Sequence, residues 1–178
     1  MPFSFIQTAL PGVVIVEPRM LTDDRGFFME TYKKSEFSAA GLELEFVQEN
    51  LSRSARGTVR GLHFQRPPKA QAKLTRVIAG EVFDVAADVR PESPTYGRWV
   101  GVKLSSDNRK SLFIPAGYAH GFCVCSAEAE VLYMASEEYA PDFEWGARWD
   151  DPLLGIAWPL SELRLSERDR RWPLLAPR

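Results

Sequence analysis

The sequence is poor in the residues that build cross-linked or metal-clustered proteins. Its 178 residues include two cysteines, Cys123 and Cys125, and two histidines, His63 and His120. Thiols at i and i+2 in an apolar stretch fall side by side on one strand face, which makes a bridge across so short an extended loop unfavourable. Both are expected to be buried thiols in a reducing, cytoplasmic compartment. No run approaches the ~18 consecutive apolar residues of a membrane span. The opening MPFSFIQTALPG has neither the basic start nor the long apolar stretch of a signal peptide. A net charge of -2 gives no general attraction to nucleic acid or to anionic membranes. Any anionic ligand must therefore be held by a local basic cluster. Internal repeats, low-complexity tracts and linkers are also missing, and the length suits a single domain spanning 1–178 with a sizeable core.

What is present is mostly β pattern. One helix is predicted at 35–41 (SEFSAAG), with Ser35 as N-cap and Gly41 as the stop. Across 82–89, Val82, Asp84, Ala86 and Asp88 fall on one side of a strand, and Phe83, Val85, Ala87 and Val89 on the other. Segments 71–79 and 82–89 meet around Gly80, a hairpin signal. WVGVKL (99–104) and SLFIPAG (111–117) flank the polar turn SSDNRK, and GFCVCS (121–126) and EVLYMAS (130–136) continue the series. With roughly ten strand candidates between residues 12 and 136, the fold is predicted to be all-β: a sandwich, barrel or jelly roll. Beyond 137 the chain is irregular and rich in Trp and Pro, ending in a short charged helix candidate at 165–172 (LSERDRRW). Such a tail is expected to pack across the barrel.

Both histidines sit in unusual settings. His120 lies in IPAGYAHGF (114–122), the P-x-G-x-x-H arrangement of a second cupin motif, and His63 lies in VRGLHFQ (59–65). A metal-binding cupin would place a second histidine at the position of Gln65 and a carboxylate near Lys73. Divalent metals need three or four deprotonated ligands, and an ammonium beside two imidazoles makes a poor offer. No metal and no cofactor are expected. The same set suits proton transfer beside a carbonyl, because imidazole accepts a proton near neutral pH and lysine stabilises an enolate oxygen. Segment 58–73 carries a histidine, four cations and two amides where a strand would otherwise be apolar.

Across nearly its full length the chain resembles the dTDP-4-dehydrorhamnose 3,5-epimerase family. The resemblance rests on DDRGFFMETY (23–32), FVQENLSRSARGTVRGLHFQ (46–65), AKLTRVIAGEVFDVAADVR (72–90), SPTYGRW (93–99), IPAGYAHGF (114–122), EVLYMASEEYAP (130–141), RWDDPLLGIAWPL (148–160) and LSERD (165–169). It implies a cupin-type jelly-roll barrel with a few short peripheral helices, forming a cytoplasmic homodimer in dTDP-L-rhamnose biosynthesis for cell-wall or lipopolysaccharide sugars. The implied reaction inverts C3 and C5 of dTDP-4-dehydro-6-deoxy-D-glucose. His63 would be the base, Asp169 its orienting carboxylate, Lys73 the partner of the enolate oxygen and Tyr133 the acid on the opposite face. Arg25, Glu30, Gln48, Glu49, Asn50, Arg60, His120, Tyr139, Glu144 and Arg168 would bind substrate. Arg60 would meet the diphosphate, and Tyr139 would stack on thymine together with Phe27 or Phe28 of a partner subunit.

Two departures from the family pattern stand out. Arg168 stands where lysine is common, and MASEEY follows where a more aromatic run is frequent. They keep open a 3-epimerase, a 5-epimerase or a ketoisomerase of the same scaffold. A metal cupin and a non-catalytic sugar-nucleotide binding module are the rivals from other classes.

Overall fold

The computed structural model describes residues 2–177. Two antiparallel sheets pack face to face. The first has six strands in the order β1 (Phe3–Gln7), β2 (Val14–Pro18), β10 (Ser111–Ile114), β7 (Lys73–Ala79), β12 (Glu128–Ala135) and β5 (Gln48–Ala55). The second has five, in the order β13 (Glu144–Gly146), β6 (Val59–Gln65), β11 (Tyr118–Val124), β8 (Glu81–Asp88) and β9 (Trp99–Ser105). A separate hairpin pairs β3 (Met20–Asp23) with β4 (Gly26–Met29). This is the jelly-roll architecture expected of a cupin, with two short helices at its periphery, α1 (Lys34–Ala39) and α2 (Glu167–Arg170).

Period-two alternation explains the layers. Inward residues of both sheets, including Val77, Val131, Leu112, Val82, Ala86, Leu104 and Phe122, form one buried cluster between them. The outer faces are covered as well, which is why β8 is buried on both sides. Phe37 of α1, with Phe3, Leu74 and Phe113, seals the first sheet. Leu154, with partly buried Ile156, Trp158 and Leu175 from the tail, covers Val85, Ala87 and Ala119 on the second. The Trp/Pro-rich tail thus packs on the barrel as its composition suggested.

Four local expectations need correction. Gly80 does not close a hairpin, because β7 and β8 lie in different sheets. Its backbone has φ +78°, and a Cβ there would come within 2.1 Å of the Glu128 carbonyl oxygen. Glycine is needed so that the chain can cross between the sheets. In α1 the N-cap is Lys33, without a side-chain cap, and Ser35 lies in the first turn; Gly41, at φ +82°, does follow the helix end. α2 is shorter than the predicted 165–172, since Ser166 caps it and Pro173 disfavours helical backbone at Trp172. Of the two thiols, both unpaired, Cys123 is buried within β11 and Cys125, just past its end, is only half-buried.

Candidate active site

A cavity of about 530 Å³ opens between the sheets, a size suited to a small organic ligand. Its lining draws side chains from both sheets and from the tail. β6 supplies Arg60 and His63, β11 supplies His120, β7 Lys73 and β12 Tyr133, and the tail adds Tyr139, Glu144, Arg168 and Asp169. His63 and His120 are register partners on adjacent strands, so both imidazoles stand on the same wall. Tyr133 belongs to the opposite sheet and faces them.

Each histidine is paired with a buried carboxylate. His63 Nε2 lies 2.5 Å from Asp169 Oδ1, and His120 Nε2 lies 2.6 Å from Asp84 Oδ1. Burial pushes the Asp169 carboxyl up, but the His63 hydrogen bond and charge, with the Ser166 hydroxyl, bring it below the usual carboxylate range. Asp169 is therefore ionised at neutral pH; where it accepts from an Nε2–H, the free lone pair of the ring is on Nδ1. The capping Ser166 Oγ, 3.0 Å from the Asp169 backbone N, fixes the short helix that delivers this carboxylate.

Lys73 reaches into the same space. Its Nζ is 3.5 Å from the His63 backbone oxygen and 5.9 Å from the centre of the Tyr133 ring. Burial lowers its pKa to about 8, against the pull of the Asp84 carboxylate. Burial also raises the Tyr133 phenol, with Arg60 acting in the opposite direction, so the hydroxyl is protonated at neutral pH. The site thus combines an imidazole, an ammonium and a phenol, the groups needed to move protons at a carbon beside a carbonyl. The Gln65 side chain is fully engaged with the Lys69 and Glu138 carbonyls and the Ala140 N–H, so it serves as a latch for the loop and not as a ligand. Among the described residues, no three His, Cys, Asp or Glu side chains converge as a metal-binding group.

The rim is tied together by the tail. Tyr139 donates to Glu144 Oε2 at 2.6 Å, and Glu144 is ion-paired with Arg168. Arg60 Nε donates to Ser54 Oγ at 3.0 Å, leaving the rest of its guanidinium toward the cavity.

Not every sequence candidate reaches the cavity. Gln48 accepts from the Tyr139 backbone N–H at 2.8 Å and donates to Asn50 Oδ1, so both stand behind the rim as supports. Strand alternation turns Glu49 to the other face of β5, toward Arg76. Arg25 sits in the β3–β4 turn, bonded to Asp23 at 2.6 Å, and Glu30 lies near Lys33 just beyond β4. Neither lines this chain's cavity, and the hairpin leaves Phe27 and Phe28 exposed. Sequence reading missed Asp84 and Ser166 as site residues. An acid on the core-facing side of β8 and a Ser three residues before Asp169 were the available signals.

Comparison with known proteins gives a consistent picture. The profile of the dTDP-4-dehydrorhamnose 3,5-epimerase family matches residues 7–177. The enzyme of that name from Methanothermobacter thermautotrophicus is 54% identical over 173 residues, 96% of this chain and 93% of the relative. Among solved structures, the dTDP-6-deoxy-D-glucose-3,5-epimerase of Legionella pneumophila, in complex with dTDP-4-keto-L-rhamnose, superposes with a TM-score of 0.94. It is 44% identical, with 97% of this chain and 93% of that chain covered. A 3'-monoepimerase of Streptomyces bikiniensis, in complex with dTDP-quinovose, gives 0.90 at 35% identity, covering 94% and 86%. A match over nearly the whole length, in sequence and in fold, places the chain in the dTDP-4-dehydrorhamnose 3,5-epimerase family of isomerases.

Proposed function

We propose that this enzyme inverts both C3 and C5 of dTDP-4-dehydro-6-deoxy-D-glucose, giving dTDP-4-dehydro-L-rhamnose. One observation carries the reading: the imidazole of His63 and the phenol of Tyr133 come from opposing sheets and line one cavity, with the Lys73 ammonium in it. The C4 ketone acidifies the hydrogens on both neighbouring carbons. His63 Nδ1 takes one of these protons, and the C–H electrons move into the ring to leave an enolate on the C4 oxygen. Lys73 holds that oxygen. Tyr133 then gives its phenolic proton to the carbon from the other face, and solvent restores both groups. Removal on one face and return on the other produce inversion.

The same reading assigns the binding groups. Arg60 meets the diphosphate through charge-assisted bonds, Tyr139 stacks on thymine, and His120, Glu144 and Arg168 hold the sugar and nucleotide. Arg25, Glu30 and one of Phe27 and Phe28 act from a second copy of the chain. The exposed hairpin that carries them supports this, since a two-stranded ribbon is marginal without something to pack on. Gln48, Glu49 and Asn50 complete the candidate set, two of them behind the rim.

Incubation with the keto sugar in deuterated water tests the proposal. Label is expected at C3 and at C5, with L-rhamno product. Label at one carbon alone would establish monoepimerisation, the alternative favoured by the likeness to the Streptomyces bikiniensis enzyme. Binding without label would make the chain a carrier.

A further inference from the structure

The His63–Asp169 pair depends on a helix of four residues, too short to hold itself in place. The side chain that docks it is Trp172, three residues beyond Asp169. Its indole meets the His63 ring at 6.0 Å between centroids and 65° between planes, within the range of edge-to-face contacts. The ring occupies a slot that the fold leaves open for it. Gly146 of β13 is the register partner of His63, and a Cβ at 146 would come within 2.5 Å of the Trp172 Cδ2 and Cε2 atoms. The absent side chain at 146 is replaced by an indole arriving from the tail.

The outer side of the indole is flanked as well, by a tilted ring and two cations. Trp145 lies 6.3 Å from it, the Arg66 guanidinium sits 3.5 Å over Trp145, and Arg168 sits 5.4 Å from the Trp172 ring. Arg66, Trp145, Trp172 and Arg168 thus form one contiguous cluster of cations and indoles next to the base. The Trp172 N–H is buried beside the Asp169 carboxylate and, as a donor directed toward it, favours its ionised form.

We infer that Trp172 is a positioning residue that sets the ring orientation and tautomer of His63 by clamping α2 against β6. The inference rests on His63 being the base of the proposed reaction. It predicts a defect in proton transfer and not in substrate affinity, because the indole acts through His63 and Asp169.

The test uses the full chain with Trp172→Ala and Trp172→Phe. In Trp172→Ala, deuterium entry at both carbons should slow by ~30-fold, as small misplacements of a catalytic group do. KM should stay within about threefold of the parent, and the acid limb of the kcat/KM profile should move. Trp172→Phe keeps the packing and should recover most of the rate. Nitrogen-15 NMR of the histidines gives a readout independent of turnover: the parent should hold His63 protonated on Nε2, and Trp172→Ala should mix the tautomers. Unchanged exchange, pH profile and tautomer in Trp172→Ala would overturn the inference. If that variant fails to fold, a Trp172→Phe protein that is folded but shows a mixed tautomer and slow exchange would equally exclude a packing role. A parent enzyme with no exchange but an indole-dependent tautomer would instead remove the proposed reaction and leave the positioning role standing.

Discussion

In the proposed reaction His63 and Tyr133 divide the work, and single changes should separate them. His63→Asn should slow deuterium entry at both carbons by ~10³-fold, in keeping with general-base contributions. Tyr133→Phe should leave proton removal closer to normal while net inversion falls, since the far-face donor is lost; parallel exchange and product assays would reveal the split. Lys73 gives the site a pH signature. Its ammonium is needed at the enolate and its pKa is lowered to about 8. The kcat/KM profile should therefore fall above about pH 8, and Lys73→Arg should remove that limb, because guanidinium does not titrate there. The stability sign is also defined. A lysine with a depressed folded pKa destabilises the fold while charged, so this penalty is present below about pH 8 and relaxes as pH rises toward the lysine's ordinary range. The candidacy of His63 and Lys73 was legible in the sequence because isolated histidines and an ammonium stood in segments that should be apolar, whereas that of Tyr133 came from the resemblance. The Asp169 partnership was legible only through resemblance, since no spacing rule links a strand at 63 to a helix at 169.

At the level of elements, the strands followed from alternation, but their pairing did not. Gly80 reads as a hairpin turn and is instead a crossing between sheets, because period two specifies which face a residue takes and not which neighbour it meets. Glu49 illustrates the same logic in reverse: one position away from Gln48 and Asn50, it is carried to the opposite face. α1 shows an element held by one residue. Phe37 is 1% exposed and makes edge-to-face contacts with Phe3, Phe5 and Tyr32 at 5.4, 5.2 and 4.8 Å. Phe37→Ala should lower unfolding free energy by about 3–5 kcal/mol in a urea titration. Turnover at saturating substrate should change little, because the helix lies on the outer face of the first sheet, away from the cavity.

For the molecule as a whole, acid resistance should depend on a polar knot at one end of the second sheet. Asp88 is fully buried and bonded to Arg90, Ser93 and Thr95, while Arg90 also reaches Tyr118. Burial alone would raise its pKa, but these bonds bring it down to about 2. Its stabilisation is therefore complete above about pH 4 and disappears as pH falls toward 2. Asp88→Asn should be less stable than the parent at pH 7 by about 2 kcal/mol, a gap that closes on acidification in thermal melts.

The base and its carboxylate are 106 residues apart in the chain. During synthesis at ~5–20 residues per second, the strand bearing the imidazole emerges several seconds before the helix that completes it. A ribosome-bound fragment, or a chain terminated before residue 169, lacks the carboxylate that pairs with this imidazole. On the proposed mechanism catalytic competence arrives with the last stretch of tail, so a chain cut before residue 169 is expected to give no deuterium exchange.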